Sequence, residues 1–500
     1  MLPAAATQSR TLLSLMNNIV GVEMHKYLAL FFVLGLLGGC TSIEEPQVAQ
    51  STVEKSQESE DSPTPQPSFE TSNLRIDPSL CKFEDKTPGF ATRDPWMSFN
   101  YFPNMQADPY LLPSLGEVNL ALVFLNWIDM PGTDDDRNYY LEQVDAMTSW
   151  FELVSQSKYQ LNWRIADSWN ALPGSWKDYK RGALVEDSDE EDPIANQALL
   201  DKISEVTDAD FDYRDIDYVV FAIPRSGSLT EQGTEVGDVV FYAGPHGFQS
   251  FIHPNPDPLM TEFRTDEGSM GNWVLAGTSF QDKKNRSPAW VLWAHEMGHM
   301  FGYVSHAPMP GAETWGDSTS QYEANPMSAG GLFANQWNPV RAVSGWTSWV
   351  AGWLDDDQIQ CVEAQEVTEE VFAINNSRNV GGTTKAVILR TGETTGLVIE
   401  SREWDPVIDP TTIKAKNGFY DGVFMYHIDS SRDISDQSLI PLLPNGQDEV
   451  YDTMLWPGPA ISSVDSMFQE GESAEYGDFR IQVLSMQEGV DYVKVTRIQN

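Results

Sequence analysis

The chain has 500 residues, 41% hydrophobic and 11% aromatic, with a formal net charge of −43. That length accommodates several domains and a large core, and the aromatic content excludes a wholly disordered chain. A negative excess of this size repels phosphates, which argues against a nucleic-acid partner and against a polybasic membrane patch. With only 3 cysteines the chain is not a disulfide scaffold, and with only 7 histidines any local cluster of them is informative.

In chain order, the first feature is the apolar run Leu28–Leu37. It is shorter than the roughly 20 residues that span a bilayer. His25 and Lys26 precede it, and Leu37-Gly38-Gly39-Cys40 follows. A basic start, an apolar stretch and small residues before a cleavage point describe a secretory signal. Its end resembles the bacterial lipobox. That resemblance implies removal of residues 1–39, acylation of Cys40 and attachment to a membrane, in the bacterial cell envelope and facing away from the cytoplasm. Residues 40–80, dominated by Ser, Glu, Pro, Gln and Thr, read as a disordered acidic tether. In an oxidising compartment the two remaining cysteines, Cys81 and Cys361, can pair, and a disulfide between them is expected. The alternative is two unpaired buried cysteines.

Residues 81–115, rich in aromatics and Pro, form a pre-domain segment that either covers the body as a pro-segment or packs on it. The body proper begins with Val118–Trp127, a run rich in apolar, β-branched and aromatic residues that reads as a buried strand. Ile128–Asp136 reads as a turn, and Tyr139 to Val154 has helical periodicity. Gln160–Ile165 alternates like a strand, Ile194–Val206 suits a second helix, and Ile216–Ile223 and Trp273–Gly277 read as further strands. A helix is expected from Ala289 to Met300. Interleaved strands and helices predict an α/β layer structure over 116–358. After about residue 360 short strands separated by turn residues take over: Val371–Ile374, Ala386–Arg390, Gly396–Glu400, Gly422–Tyr426 and Tyr492–Thr496. Residues 359–500 are therefore expected to form a β-rich, sandwich-like C-terminal domain.

Three of the histidines fall within twelve residues, in His295-Glu-Met-Gly-His-Met-Phe-Gly-Tyr-Val-Ser-His306. On a helix, His295 and His299 project from one face a turn apart and can reach one zinc ion, with Glu296 placed to act on a bound water. A glycine at position 302 can end the helix and swing the chain back towards the metal. A catalytic zinc takes three protein ligands, and His306 is the candidate for the third, with Glu313 and Asp317 as alternatives. His246 and His253 sit in a Gly/Pro-rich loop and read as loop residues. The acidic groups at 134–136, 187–192 and 355–357 lack EF-hand spacing and read as solvated loops, although calcium is a candidate structural ion.

His-Glu-x-x-His-x-x-Gly resembles the long metzincin motif, with the third histidine one residue later than in that family, where Ser305 stands. Asn325-Pro-Met-Ser-Ala-Gly-Gly331 resembles the metzincin Met-turn, with Met327 beneath the metal. Ser344–Leu354, the Glu400-Ser-Arg402 strand and the strand ending His427-Ile-Asp429 then follow in an order similar to the immune inhibitor A family of secreted bacterial metallopeptidases. The resemblance covers about residues 115–500. It implies an α/β zincin (metzincin-like) catalytic domain with a mixed twisted sheet and an active-site helix, one catalytic Zn2+ held by His295, His299 and His306, Glu296 as general base, protein or peptide substrates, and a monomer. The alternative is a catalytically inactive surface-tethered binding protein of the same fold.

Overall fold

The structure is a computed structural model that describes residues 68–84, 86, 112–175, 193–224, 241–244, 262–276, 289–301, 343–376, 384–403, 421–431, 439–444 and 467–498. None of its described helices is long and apolar enough to cross a membrane. Cys40 lies outside the described residues.

The first half of the body is built on strands β1 (Gly116–Asn126), β2 (Tyr159–Ala171), β3 (Tyr218–Ala222), β4 (Phe241–Gly244), β5 (Phe263–Thr265), β6 (Gly268–Met270) and β7 (Trp273–Ala276). Five of them form one sheet in the order β2-β1-β3-β7-β4. β1, β2, β3 and β7 run parallel to their neighbours, and β4 pairs antiparallel with β7 at the edge. β5 and β6 form a separate hairpin. Leu120 to Leu125 of β1 are all fully buried, as expected of a parallel strand covered on both faces.

Three helices supply that cover: α1 (Asp134–Val154), α2 (Pro193–Thr207) and α3 (Ala289–Met300). α1 and α3 lie on the face of Tyr218, whose hydroxyl donates to the Trp293 carbonyl at 3.1 Å. The opposite face carries Phe221 against Phe263 of β5, with ring centroids 5.0 Å apart, and α2 is tied to that hairpin through Gln197 and the Glu262 carbonyl. α1 begins five residues before the expected helix. Thr133 caps it: its hydroxyl accepts from the Asp136 N–H, and the Asp136 carboxylate accepts from the Thr133 N–H. Asp134, Asp135 and Asp136 are thus the first turn of a helix, where negative charge faces the positive end of the dipole, rather than a solvated loop.

The second half has β8 (Ile359–Glu363), β9 (Glu369–Asn375), β10 (Ala386–Arg390), β11 (Thr395–Arg402), β12 (Gly422–Asp429), β13 (Leu439–Pro441), β14 (Met467–Phe468), β15 (Ser473–Tyr476), β16 (Phe479–Gln487) and β17 (Val490–Arg497). One sheet has the order β13-β12-β11-β10-β8 with β14 also on β12, and the other has the order β15-β16-β17-β9. The two share a core. Val387, Leu389, Leu397 and Ile399 from the first sheet meet Phe372, Ile481, Val483, Val493 and Val495 from the second. The alternate residues of the first sheet, including Ile388, Val398 and Tyr426, form a second core with Trp346 and Trp349 of α4 (Gly345–Val350). Gly352 ends this turn of chain at φ +83°, a left-handed conformation that glycine adopts without strain.

Residues 68–80, expected to belong to the tether, are instead ordered on this second half. The Ser72 N–H donates to the Val371 carbonyl at 2.7 Å and the Ile76 N–H to the Cys361 carbonyl at 2.8 Å. Cys81 is bonded to Cys361, S–S 2.07 Å, across 280 residues of sequence. Phe83 packs on Trp346 with centroids 5.6 Å apart. The segment has apolar side chains and backbone groups that this surface can satisfy, and composition alone does not reveal that.

Candidate metal centre

All three motif positions, His295, Glu296 and His299, lie within α3. Among the residues of α3 whose burial is described, and the one after it, Trp290, Trp293, Ala294, Met297, Gly298 and Phe301 are buried. They recur at helical spacing and define one stripe. At about 100° per residue, backbone positions 295 and 299 are a turn apart on the side of the helix away from that stripe. His306, Met327, Glu313 and Asp317 lie outside the described residues, as do His246, His253 and the acidic run 187–192.

The stripe is held by aromatic residues along its length. At the start of α3 the Ala289 N–H donates to the Tyr139 hydroxyl at 3.1 Å, and Trp290 packs on Trp150. In the middle, Tyr140 stacks on Trp293 with centroids 6.0 Å apart, while its own hydroxyl donates to the Ile223 carbonyl at 2.6 Å. At the end, Phe301 sits among Phe151, Tyr159 and Trp353. Burial pushes the Tyr159 hydroxyl well above its ordinary value of 10.0, so that group stays neutral. The sheet and α1 therefore fix the helix by shape and by a few hydrogen bonds to its main chain. The sequence signal for this cage was the aromatic content of α1 and β2. What each ring touches was not readable there.

A second polar group, buried between the two halves, was also missed. Glu400 of β11 accepts from the Gly345 N–H at 2.5 Å and from the Tyr426 hydroxyl at 3.1 Å through one oxygen. Its other oxygen accepts from Arg402 Nε at 2.7 Å. The Trp346 N–H donates to the Tyr426 oxygen at 3.1 Å. The Glu400 and Arg402 side chains are only 4% and 2% exposed, so deleting either would strand the other's charge, at a cost of about 3–5 kcal/mol. The Arg402 guanidinium lies 4.1 Å from the Phe424 ring centroid. Burial and the Glu400 charge together push the Tyr426 hydroxyl far up. A side chain on residue 345 would bring its Cβ to 3.0 Å from Glu400 Oε2, so an alanine there would push the carboxylate back by a few tenths of an ångström. The Glu-x-Arg pair was visible in sequence, but its partner lies 55 residues upstream.

Among the described residues, Asp208, Asp266 and Glu267 form a group whose carboxylate oxygens lie within 4.8 Å of one another. Its donors are all oxygen, which suits calcium or magnesium rather than zinc. The acidic group at 355–357 is differently engaged: Asp355 pairs with Lys158 at 2.8 Å, and Asp356 accepts from Trp349 Nε1 at 2.8 Å.

No protein-family model matches the chain, and no curated protein matches it in sequence.

Proposed function

We propose that the protein is a zinc-dependent endopeptidase, anchored by lipid at Cys40 and exposed outside the cytoplasm of a bacterial cell. The observation that carries this reading is α3 itself. One continuous helix holds His295, Glu296 and His299, with the two histidine positions a turn apart and the opposite stripe clamped by the sheet. Two imidazole donors at that spacing, with a carboxylate beside the first, fit zinc. His295 and His299 would hold the ion, with His306 as the third ligand. When bound, zinc supplies a Lewis acid that polarises a scissile carbonyl and makes water more acidic.

The chain's own residues do the rest. Glu296 takes a proton from the attacking water as the C–O bond forms, and then returns it to the leaving amine as the C–N bond breaks. The buried Cys81–Cys361 bond supports an oxidising, extracytoplasmic location.

The test is metal analysis with casein cleavage on the intact chain and on Glu296→Gln. One zinc per chain in both, with activity lost only in the variant, is the expected result. A zinc-free chain that binds a partner but cleaves nothing would favour the inactive surface-binding alternative.

A further inference from the structure

We propose that Glu400 is a positioning residue for the zinc helix, through which the C-terminal sheets form a working part of the catalytic body. The inference rests on the peptidase reading above and adds a residue that touches neither metal nor substrate.

The connection can be followed group by group. Glu400 belongs to β11, in the middle of the six-stranded sheet, with β10 on one side and β12 on the other. Its carboxylate holds the Gly345 N–H, and through Tyr426 the Trp346 N–H, which are the first two residues of α4. α4 passes directly into residues 351–354. There the Trp353 N–H donates to the Ser348 carbonyl at 2.7 Å, and its indole N–H donates to the Ser114 carbonyl at 2.7 Å, just before β1. The Ser114 hydroxyl donates back to the Ala351 carbonyl at 2.9 Å. Trp353 then meets Phe301 edge-on, with centroids 6.2 Å apart, and Phe301 donates its N–H to the Met297 carbonyl at the end of α3. A charged group in one half is therefore joined to the end of the zinc helix by a short series of hydrogen bonds and ring contacts, all buried. Buried polar groups favour one arrangement because any shift leaves them unpaired. A neutral amide at position 400 keeps the size but loses the charge that orients Gly345, Tyr426 and Arg402 together.

The experiment compares the full chain with Glu400→Gln, Tyr426→Phe and Val483→Ala. The last opens space between the two C-terminal sheets, away from α4, and matches a general loss of stability. Casein cleavage is measured below the melting temperature of every variant, and amide exchange is followed over residues 293–301. Glu400→Gln is expected to lower kcat about 2- to 30-fold with KM within about twofold, and to speed exchange at the end of α3 by a similar factor. Tyr426→Phe is expected to do the same to a smaller extent, and it decides the matter should Glu400→Gln not fold. Val483→Ala is expected to leave kcat unchanged. A folded Glu400→Gln or Tyr426→Phe with wild-type kcat and wild-type exchange overturns the proposal, as does an equal fall in kcat in Val483→Ala. A wild-type chain that holds no zinc and cleaves nothing overturns the peptidase reading instead, and exchange over residues 293–301 then decides the coupling by itself.

Discussion

The two halves of the body bury their strands in opposite ways. β1 is apolar almost throughout because helices or a hairpin cover both faces of its sheet. β16 and β17 bury alternate residues, because one face packs in the sandwich and the other meets solvent. The first half is held by large rings that bridge layers, such as Trp293 between α1 and the sheet. The second is held by a mostly aliphatic core between its two sheets, by the rings of α4 on the outer face of the six-stranded one, and by one disulfide and a buried ion pair. In the first half, bulky rings hold α3 along its buried stripe. In the second, aliphatic packing between sheets and a crosslink carry more of the load.

Perturbing each half should show that difference. The largest effect is expected from Trp293→Ala, which removes a fully buried ring from beneath α3. It should cost about 3–5 kcal/mol by denaturant unfolding and abolish zinc retention along with activity. Replacing Cys81 and Cys361 by serine should cost about 2–5 kcal/mol, because the bond closes a long loop. Limited proteolysis should then release residues 68–86 while leaving α3 protected, and equal loss of protection in both halves would erase the contrast.

A third test uses pH. Asp491 of β17 is held at about 6, first by burial and then by the charges of Asp421 and Glu403, against an ordinary value of 3.8, despite a hydrogen bond from Ser401. Between those values the folded chain keeps a proton that the unfolded chain has lost. Stability should therefore fall as pH rises from about 4 to about 6, and a deficit of at most about 3 kcal/mol should persist above that. Asp491→Asn should raise the melting temperature at pH 8 and flatten the profile between pH 4 and 7. An unchanged profile would show that Asp491 does not carry it. The smallest effect is expected from Thr133→Ala, about 1 kcal/mol from loss of the α1 cap, read by thermal unfolding.

Much of this was legible in the chain. β1 and β3 announced themselves as apolar runs, and α3 by its periodicity. β10, β11 and β12 appeared as short apolar stretches between turn residues. The start of α1 was hidden because Thr133-Asp-Asp-Asp136 has the composition of a turn, and only the spacing between Thr133 and Asp136 marks a cap. β8 was hidden behind the acidic residues 355–357, and β15 and β16 carry the polar alternation of half-exposed strands. At the candidate site, histidine spacing singled out positions 295 and 299. The cage of Tyr139, Tyr140, Trp150 and Trp353 was not legible, because nothing local states which ring meets which.

The sequence by itself determined what depends on neighbours along the chain: the helix carrying His295, Glu296 and His299, and the change from α/β to β. Tertiary structure alone decided what depends on distance in space. It placed residues 68–80 on the second half, joined Glu400 to Gly345, and packed Trp353 beside Phe301. Local periodicity reports which side of an element avoids water, since burial of apolar area is non-directional. A hydrogen bond or a ring contact is directional and needs its one partner, and the fold alone supplies that partner.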